Sequence, residues 1–323
     1  MIHLYNLYNS YKSCQQLFKH YSNSYYLGAT LFEFDKFKHI CAFYGLVRVV
    51  DNIVDGENTL EDKTEQLEIF INKFFCLYDS DLEPCYWVDY HPIMPAVFNT
   101  IHELKLPRDL FERFFASMKM DLVKYSYETF TELEQYMDGS AVIVGEVMIY
   151  IMSYKCRFYD NKFKELLPYA RDLGVAFQLT NFIRDIKEDL EMDPSRIYIP
   201  TYFLKCYDID LNYYNKEGII DNNFRDFIKC QINLNREIYK NAQYGINKLE
   251  PDHKISINMS KILYSTILNY IENADYKILE SKKIKVPFND KLLLMYKHIP
   301  LFSFIKMVIN YVLYSYFMFI YFI

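Results

Sequence analysis

Glycine and proline are scarce, at 8 and 10 of 323 residues. Together they fall well below the ~12% of an average chain, which argues against a turn-rich sandwich or barrel and against a linker-like protein. The seven cysteines lie apart, at 14, 41, 76, 85, 156, 206 and 230, with no Cys-x-x-Cys and no His pair at ligand spacing. That excludes a zinc ribbon and a disulfide frame, and it suits a reducing compartment. No Gly-x-Gly-x-x-Gly or Walker loop occurs, so a Rossmann or P-loop domain is not expected. Long basic runs are missing too, and 36 Lys and Arg stand against 42 Asp and Glu for a net charge of −6. Nucleic acid is therefore not an expected partner. Nor does the N-terminus carry a basic start followed by an apolar core, so no secretory leader is expected and the chain reads as cytoplasmic.

What is present is apolar and aromatic. Hydrophobic residues make up 51% and aromatics 18%, with 32 Tyr and 26 Phe, which rules out intrinsic disorder. From about residue 33 to 297, apolar side chains recur at spacings of three and four. Interruptions are expected at Asp55–Asn58, Asp79–Pro84, His91–Pro95, Leu106-Pro107, Asp193–Ser195 and Glu217-Gly218. No composition shift divides this span, so the expectation is one all-α domain over 1–297 with roughly eight or more helices.

The end of the chain differs, and 298–323 reads as a separate hydrophobic segment. Between Leu301 and Ile323 the only charged side chain is Lys306. The uncharged stretch 307–323 would span about 25 Å as a helix, slightly short of a ~30 Å hydrocarbon core. Started at Leu301, with Lys306 snorkelling, the segment would reach. Two readings stay open: a final core or interfacial helix, and a membrane anchor through 301–323.

Two acidic stripes stand out against this apolar background. Arg48, Asp51 and Asp55 sit at i, i+3 and i+7 of a mostly apolar stretch, with Tyr44 one turn earlier, so they share one helix face. About 130 residues later, Gln178, Asn181, Asp185 and Asp189 form a second stripe on another apolar helix, with Arg184 beside it. One Asp-x-x-x-Asp pair is usually a solvated face. Two such pairs on helices that should be buried leave carboxylates in need of cations. Mg²⁺, held by one or two carboxylates plus substrate phosphates, answers that need. Metal and arginine would then stabilise a departing diphosphate, and an apolar, aromatic pocket would shield the carbocation left behind.

These stretches resemble the squalene/phytoene synthase family, the head-to-head trans-prenyltransferases, over roughly residues 12–297. The resemblance rests on Ser22-Asn-Ser24-Tyr25-Tyr26, on Tyr44 to Asp55, and on Met120-Asp121-Leu122 with Tyr125 to Phe130. It continues through Tyr136-Met-Asp-Gly139-Ser140-Ala141-Val-Ile-Val-Gly145, and through Leu173 to Asp189 followed by Ser195-Arg196-Ile-Tyr198-Ile-Pro200. It implies a single-domain helical bundle of the isoprenoid-synthase type around a central cavity. Asp51, Asp55, Asp185 and Asp189 would bind Mg²⁺ (or Mn²⁺) and diphosphate, supported by Gln178 and Asn181. Arg48, Arg184 and Arg196 would contact phosphate, and Ser22, Ser24, Tyr136 and Tyr198 would line the reaction centre. From the residues alone, a lesser alternative makes Arg184 and Arg196 surface ion-pair partners, Tyr136 a core tyrosine, and the serines an N-cap. Asn52 and Ser195 depart from the family pattern, which has Asp and Gly at those places.

The implied reaction joins two prenyl diphosphates through a cyclopropylcarbinyl diphosphate. The Tyr-x-x-Gly-Ser-Ala form at 136–141 resembles the branch that makes phytoene from geranylgeranyl diphosphate. The alternatives are squalene or dehydrosqualene from farnesyl diphosphate, with NADPH needed only for squalene, and a catalytically silent membrane scaffold.

Overall fold

The computed structural model describes residues 2–80, 91–280 and 282–321, with side chains over 5–80, 91–280 and 282–314. Residues 81–84 of the expected turn at Asp79–Pro84, Cys85 and residues 322–323 lie outside the described residues. Among those described, sixteen α-helices and no strand occur, as the scarcity of glycine and proline requires. The one β-bridge joins Ser126 to Ile197.

Helices α1 (Ile2–Tyr21), α2 (Asn23–Ala29) and α3 (Phe34–Val54) open the chain. The first lies ahead of the span in which helical periodicity was expected. Helix α3 is buried over most of its surface through Phe37, Ile40, Cys41, Leu46, Val50 and Val54, as befits a helix that is apolar apart from its charged stripe. Next come α4 (Leu60–Tyr78), capped by Thr59 accepting from Asp62 N at 3.2 Å, α5 (Met94–Leu104) and α6 (Arg108–Val123). Helices α7 (Phe130–Met137) and α8 (Ile143–Ser153) run on as one rod through a π-turn at Asp138–Val142. By length and composition this rod could cross a membrane, yet over half of it is buried in the body of the protein.

Helix α9 (Phe163–Arg184) is the second axis, packed against α8, the π-turn and two long helices, α13 (Asn222–Asn247) and α14 (Pro251–Asn273). Close approach is needed where α9 passes the π-turn. A Cβ on Gly174 would stand 2.5 Å from the Ala141 carbonyl oxygen, so no other residue fits without a shift. The second acidic stripe was expected on one helix, but the helix breaks at Asp185. Helix α9 ends at Arg184 and α10 (Ile186–Leu190) begins beyond it, while the bonds Asp185 N to Asn181 O and Asp189 N to Asp185 O continue across. Short helices α11 (Thr201–Cys206) and α12 (Leu211–Glu217) lead into α13, the latter stopped by Gly218 at φ 64°. Helix α13 buries one stripe, which includes Phe224, Phe227, Ile228, Ile232, Asn235, Tyr239, Ala242 and Ile246.

The chain closes with α15 (Phe288–His298) and α16 (Leu301–Tyr321). The described side chains of α16 divide into two faces. Met307, Asn310 and Tyr314 are buried, with Asn310 Nδ2 donating to Thr30 O at 2.8 Å and the Tyr314 hydroxyl donating to Phe32 O at 2.5 Å. The opposite face, Leu301, Phe302, Ile305, Val308, Ile309 and Val312, is apolar and exposed.

Candidate active site

A cavity of about 720 Å³ runs between α2, α3, α6, α8, α9, α13 and α14, within the ~300–1,000 Å³ of small-molecule pockets. One part of its lining is apolar, formed by residues such as Phe43, Val144, Met152, Leu166, Ile246 and Ile257. The other part is charged. Helix α3 delivers Arg48, Asp51 and Asp55, and the break between α9 and α10 delivers Gln178, Asn181, Arg184, Asp185 and Asp189.

The ion pairs divide the four aspartates into two kinds. Asp55 is held by Arg196 Nη1 at 2.8 Å. Asp185 takes Arg184 in a two-pronged contact at 2.6 and 2.5 Å, with Lys283 Nζ at 3.0 Å. Among the described residues Asp51 has only Arg48 at 3.9 Å, and that guanidinium also lies 3.9 Å over the Tyr21 ring. Burial, with Asp55 and Asp121 nearby, pushes the Asp51 carboxyl up to about 7. Burial, with Asp185, Asp55 and Glu188, pushes Asp189 up to about 8. Both are the signature of carboxylates short of positive charge.

That shortage fits a divalent cation. Among the described residues no three carboxylate, imidazole or thiol groups converge on one point. The set is instead two separated oxygen pairs, which suits ions shared between the protein and substrate phosphates.

Arg196 ties the two sides together. Its backbone N–H donates to Asp189 O at 2.8 Å, its Nη1 reaches Asp55 and the Tyr198 hydroxyl, and its Nη2 donates to Asp121 O at 3.2 Å. The loop carrying it is pinned from Ile197 N to Tyr125 O and from Thr201 N to Tyr127 O, both at 2.8 Å. Ser195, where the family pattern has glycine, is a half-buried member of that loop 3.5 Å from Asn212 Oδ1.

Of the thirteen residues singled out from the sequence, twelve line this one cavity. Ser24 does not, lying instead in the first turn of α2. Ser22 occupies the N-cap of α2 without making a side-chain cap bond, and its hydroxyl meets Tyr44. Arg184 and Arg196 are largely buried, so neither is a surface ion-pair partner. Tyr136 and Tyr198 are buried at the wall, their rings 5.5 Å apart, with Tyr198 stacked on Phe182 at 4.3 Å.

Three further lining residues escaped the spacing argument. Tyr264 donates to Asn181 Oδ1 and stacks on Tyr25 at 4.4 Å. Lys283, from the segment after α14, binds Asp185 and Glu188. Asp121, on α6 and 5% exposed, accepts from the Tyr136 hydroxyl at 2.7 Å and from Tyr198 at 2.9 Å. Its place in the Met120-Asp121-Leu122 segment was the only signal, and no spacing rule connects it to either tyrosine.

Comparison with known proteins gives a consistent answer. Residues 18–290 match the squalene/phytoene synthase family. A phytoene synthase of Arthrospira platensis is 28% identical over 292 residues, covering 85% of this chain and 87% of its own. A 15-cis-phytoene synthase of Synechococcus elongatus is 28% identical over 295 residues, covering 89% and 91%. Among solved structures, a dehydrosqualene synthase superposes with a TM-score of 0.74 at 19% identity, over 91% of this chain and 97% of its own. A squalene synthase from Alicyclobacillus acidocaldarius gives 0.64 at 19% identity, over 83% and 94%. At such identities these two structures establish the shared all-α fold.

Proposed function

The chain belongs to the squalene/phytoene synthase family of prenyltransferases, and from that premise we propose that it joins two geranylgeranyl diphosphates head to head to give phytoene. One observation carries the reading: two acidic pairs and three arginines are gathered at one part of a cavity that is otherwise apolar and aromatic. Such a cavity takes an amphiphile with an anionic head and a long hydrocarbon tail.

In this reading Asp51, Asp55, Asp185 and Asp189 would hold Mg²⁺, which when bound would supply Lewis acidity toward the diphosphate. Arg48, Arg184 and Arg196 orient the phosphates, and Gln178 and Asn181 brace the second acidic pair. The allylic cation of one chain alkylates the C2–C3 double bond of the other. The ring faces of Tyr136, Tyr198 and Phe182 stabilise the cation, while the apolar wall keeps water away from it. The cyclopropylcarbinyl diphosphate then ionises in its turn, and the rearranged cation loses a proton to the released diphosphate to give the hydrocarbon. The exposed apolar face of α16 would rest on a bilayer, where such tails and products partition.

The test is a product assay. Purified protein with Mg²⁺ receives labelled geranylgeranyl or farnesyl diphosphate, with and without NADPH, and extracted hydrocarbons are identified by mass. A C40 hydrocarbon is the expected result. A C30 product would move the chain to the dehydrosqualene or squalene side, with NADPH dependence deciding which.

A further inference from the structure

Head-to-head coupling has a consequence that the acidic pairs and arginines do not serve. Closing the cyclopropane ring expels a proton as well as diphosphate. The C1–H bond of one chain breaks, its electron pair forms the third ring bond, and the proton must leave an apolar chamber. A group that accepts it has to face the coupling carbons and be connected to something more basic than a neutral phenol.

The cavity wall contains one such connection. The Tyr136 and Tyr198 hydroxyls each spend their single proton on the same carboxylate, Asp121, at 2.7 and 2.9 Å. A phenol that donates in this way has only lone pairs and a ring face left for the cavity, so it can take a proton but not quench the cation by giving one. The two phenols differ. The Tyr198 oxygen also accepts from Arg196 Nη1 at 3.4 Å, which lowers its basicity, and no such second donor is recorded at the Tyr136 oxygen among the described residues.

We propose that Asp121 receives the proton shed in the coupling, relayed through the Tyr136 hydroxyl. This rests on the head-to-head reading given above. As the C1–H bond breaks, its proton passes to the Tyr136 oxygen and the phenolic proton passes to Asp121 Oδ2. The phenol ends neutral, the carboxylate ends protonated, and no oxidant or reductant is consumed. The groups facing Asp121 are Tyr136 from α7, Tyr198 and Arg196 from the pinned loop, Tyr127 from the 124–129 connection, and Asp51 and Asp55 from α3. Burial, with Asp55 adding to it, pushes the Asp121 carboxyl up to about 6 against the pull of Arg196 and the two phenols. An acid in that range accepts a proton and returns it to solvent near neutral pH. Asp121 acts through Tyr136 and is in that sense a positioning residue.

The test uses the full chain with Mg²⁺ and whichever prenyl diphosphate the wild type converts. Asp121→Asn and Tyr136→Phe are compared with wild type for hydrocarbon formed per diphosphate released, and for the isotope effect with substrate deuterated at C1. In both variants, diphosphate release should stay within about tenfold of wild type while hydrocarbon falls by about 10² or more. Prenyl alcohol from water capture should accumulate, and a larger isotope effect should emerge. Tyr136→Phe keeps the ring stack, so it decides the matter should Asp121→Asn fail to fold. A wild-type ratio and isotope effect in Tyr136→Phe would overturn the relay and pass the proton to the departing diphosphate. Equal loss of diphosphate release and hydrocarbon would overturn it in favour of a purely structural role. A wild type that makes no hydrocarbon would instead refute the functional reading on which the relay rests.

Discussion

Without metal, the protein should become more stable when Asp189 is replaced by Asn. Burial and the neighbouring Asp185, Asp55 and Glu188 push this carboxyl from 3.8 up to about 8 in the folded chain. Unfolded, it titrates near ~3.9. Because the folded value is the higher one, the folded state binds more protons than the unfolded state between about pH 4 and pH 8. Stability therefore falls as pH rises through that window and levels off above it. At about 1.36 kcal/mol per pH unit, the displacement sets an upper bound near 6 kcal/mol. Solvent at the cavity mouth and side-chain relaxation screen most of this, which leaves about 2 kcal/mol. Asparagine has the same shape without the charge and escapes the cost. For a chain of this length that corresponds to roughly 3 °C in Tm. The assay is urea and thermal unfolding of wild type and Asp189→Asn in EDTA at pH 4.5, 7 and 9. The curves should nearly coincide at pH 4.5 and separate in favour of the variant at pH 9. Added Mg²⁺ should then stabilise wild type more than the variant. Equal stabilities at every pH, or a gap that widens toward acid, would refute the idea of a cluster short of positive charge.

Other perturbations test other parts of the architecture. Asp51→Ala or Asp185→Ala should abolish turnover with helix content unchanged by circular dichroism, and near-wild-type activity in either would remove these residues from the metal assignment. Gly174→Ala should cost about 1–3 kcal/mol in urea unfolding, because its Cβ meets the Ala141 carbonyl at 2.5 Å. Arg196→Lys should lower activity and Tm together, since one ammonium cannot reach Asp55, the Asp121 carbonyl and Tyr198 as the forked guanidinium does. Deleting 301–323 should abolish co-sedimentation with lipid vesicles, and persistent sedimentation would place the membrane contact elsewhere.

The sequence alone determined the fold class, because its signals are local. Scarce glycine and proline and a spacing of three and four specify helices wherever those helices end up. It also determined both acidic stripes, since residues four apart share a helix face in any context. Arg48, Asp51 and Asp55 lie at the positions the spacing dictates, and even the bend at Asp185 leaves Asp189 within the same cavity. What the stripes face was not local information. Asp121 meets Tyr136 and Tyr198 only because α6, α7 and the loop after α10 converge, from 15 and 77 residues away. Lys283 reaches Asp185 by the same kind of convergence, and Ser24 falls outside the cavity because α2 turns it aside. The apolar tail shows the limit plainly. Its composition serves equally for a core helix or a membrane helix, and only packing buried Asn310 and Tyr314 against carbonyls some 280 residues earlier while leaving the other face bare. Spacing fixes which side chains stand together on one helix. Burial, partners and charge state depend on which distant helices arrive beside them, and only the tertiary structure decides that.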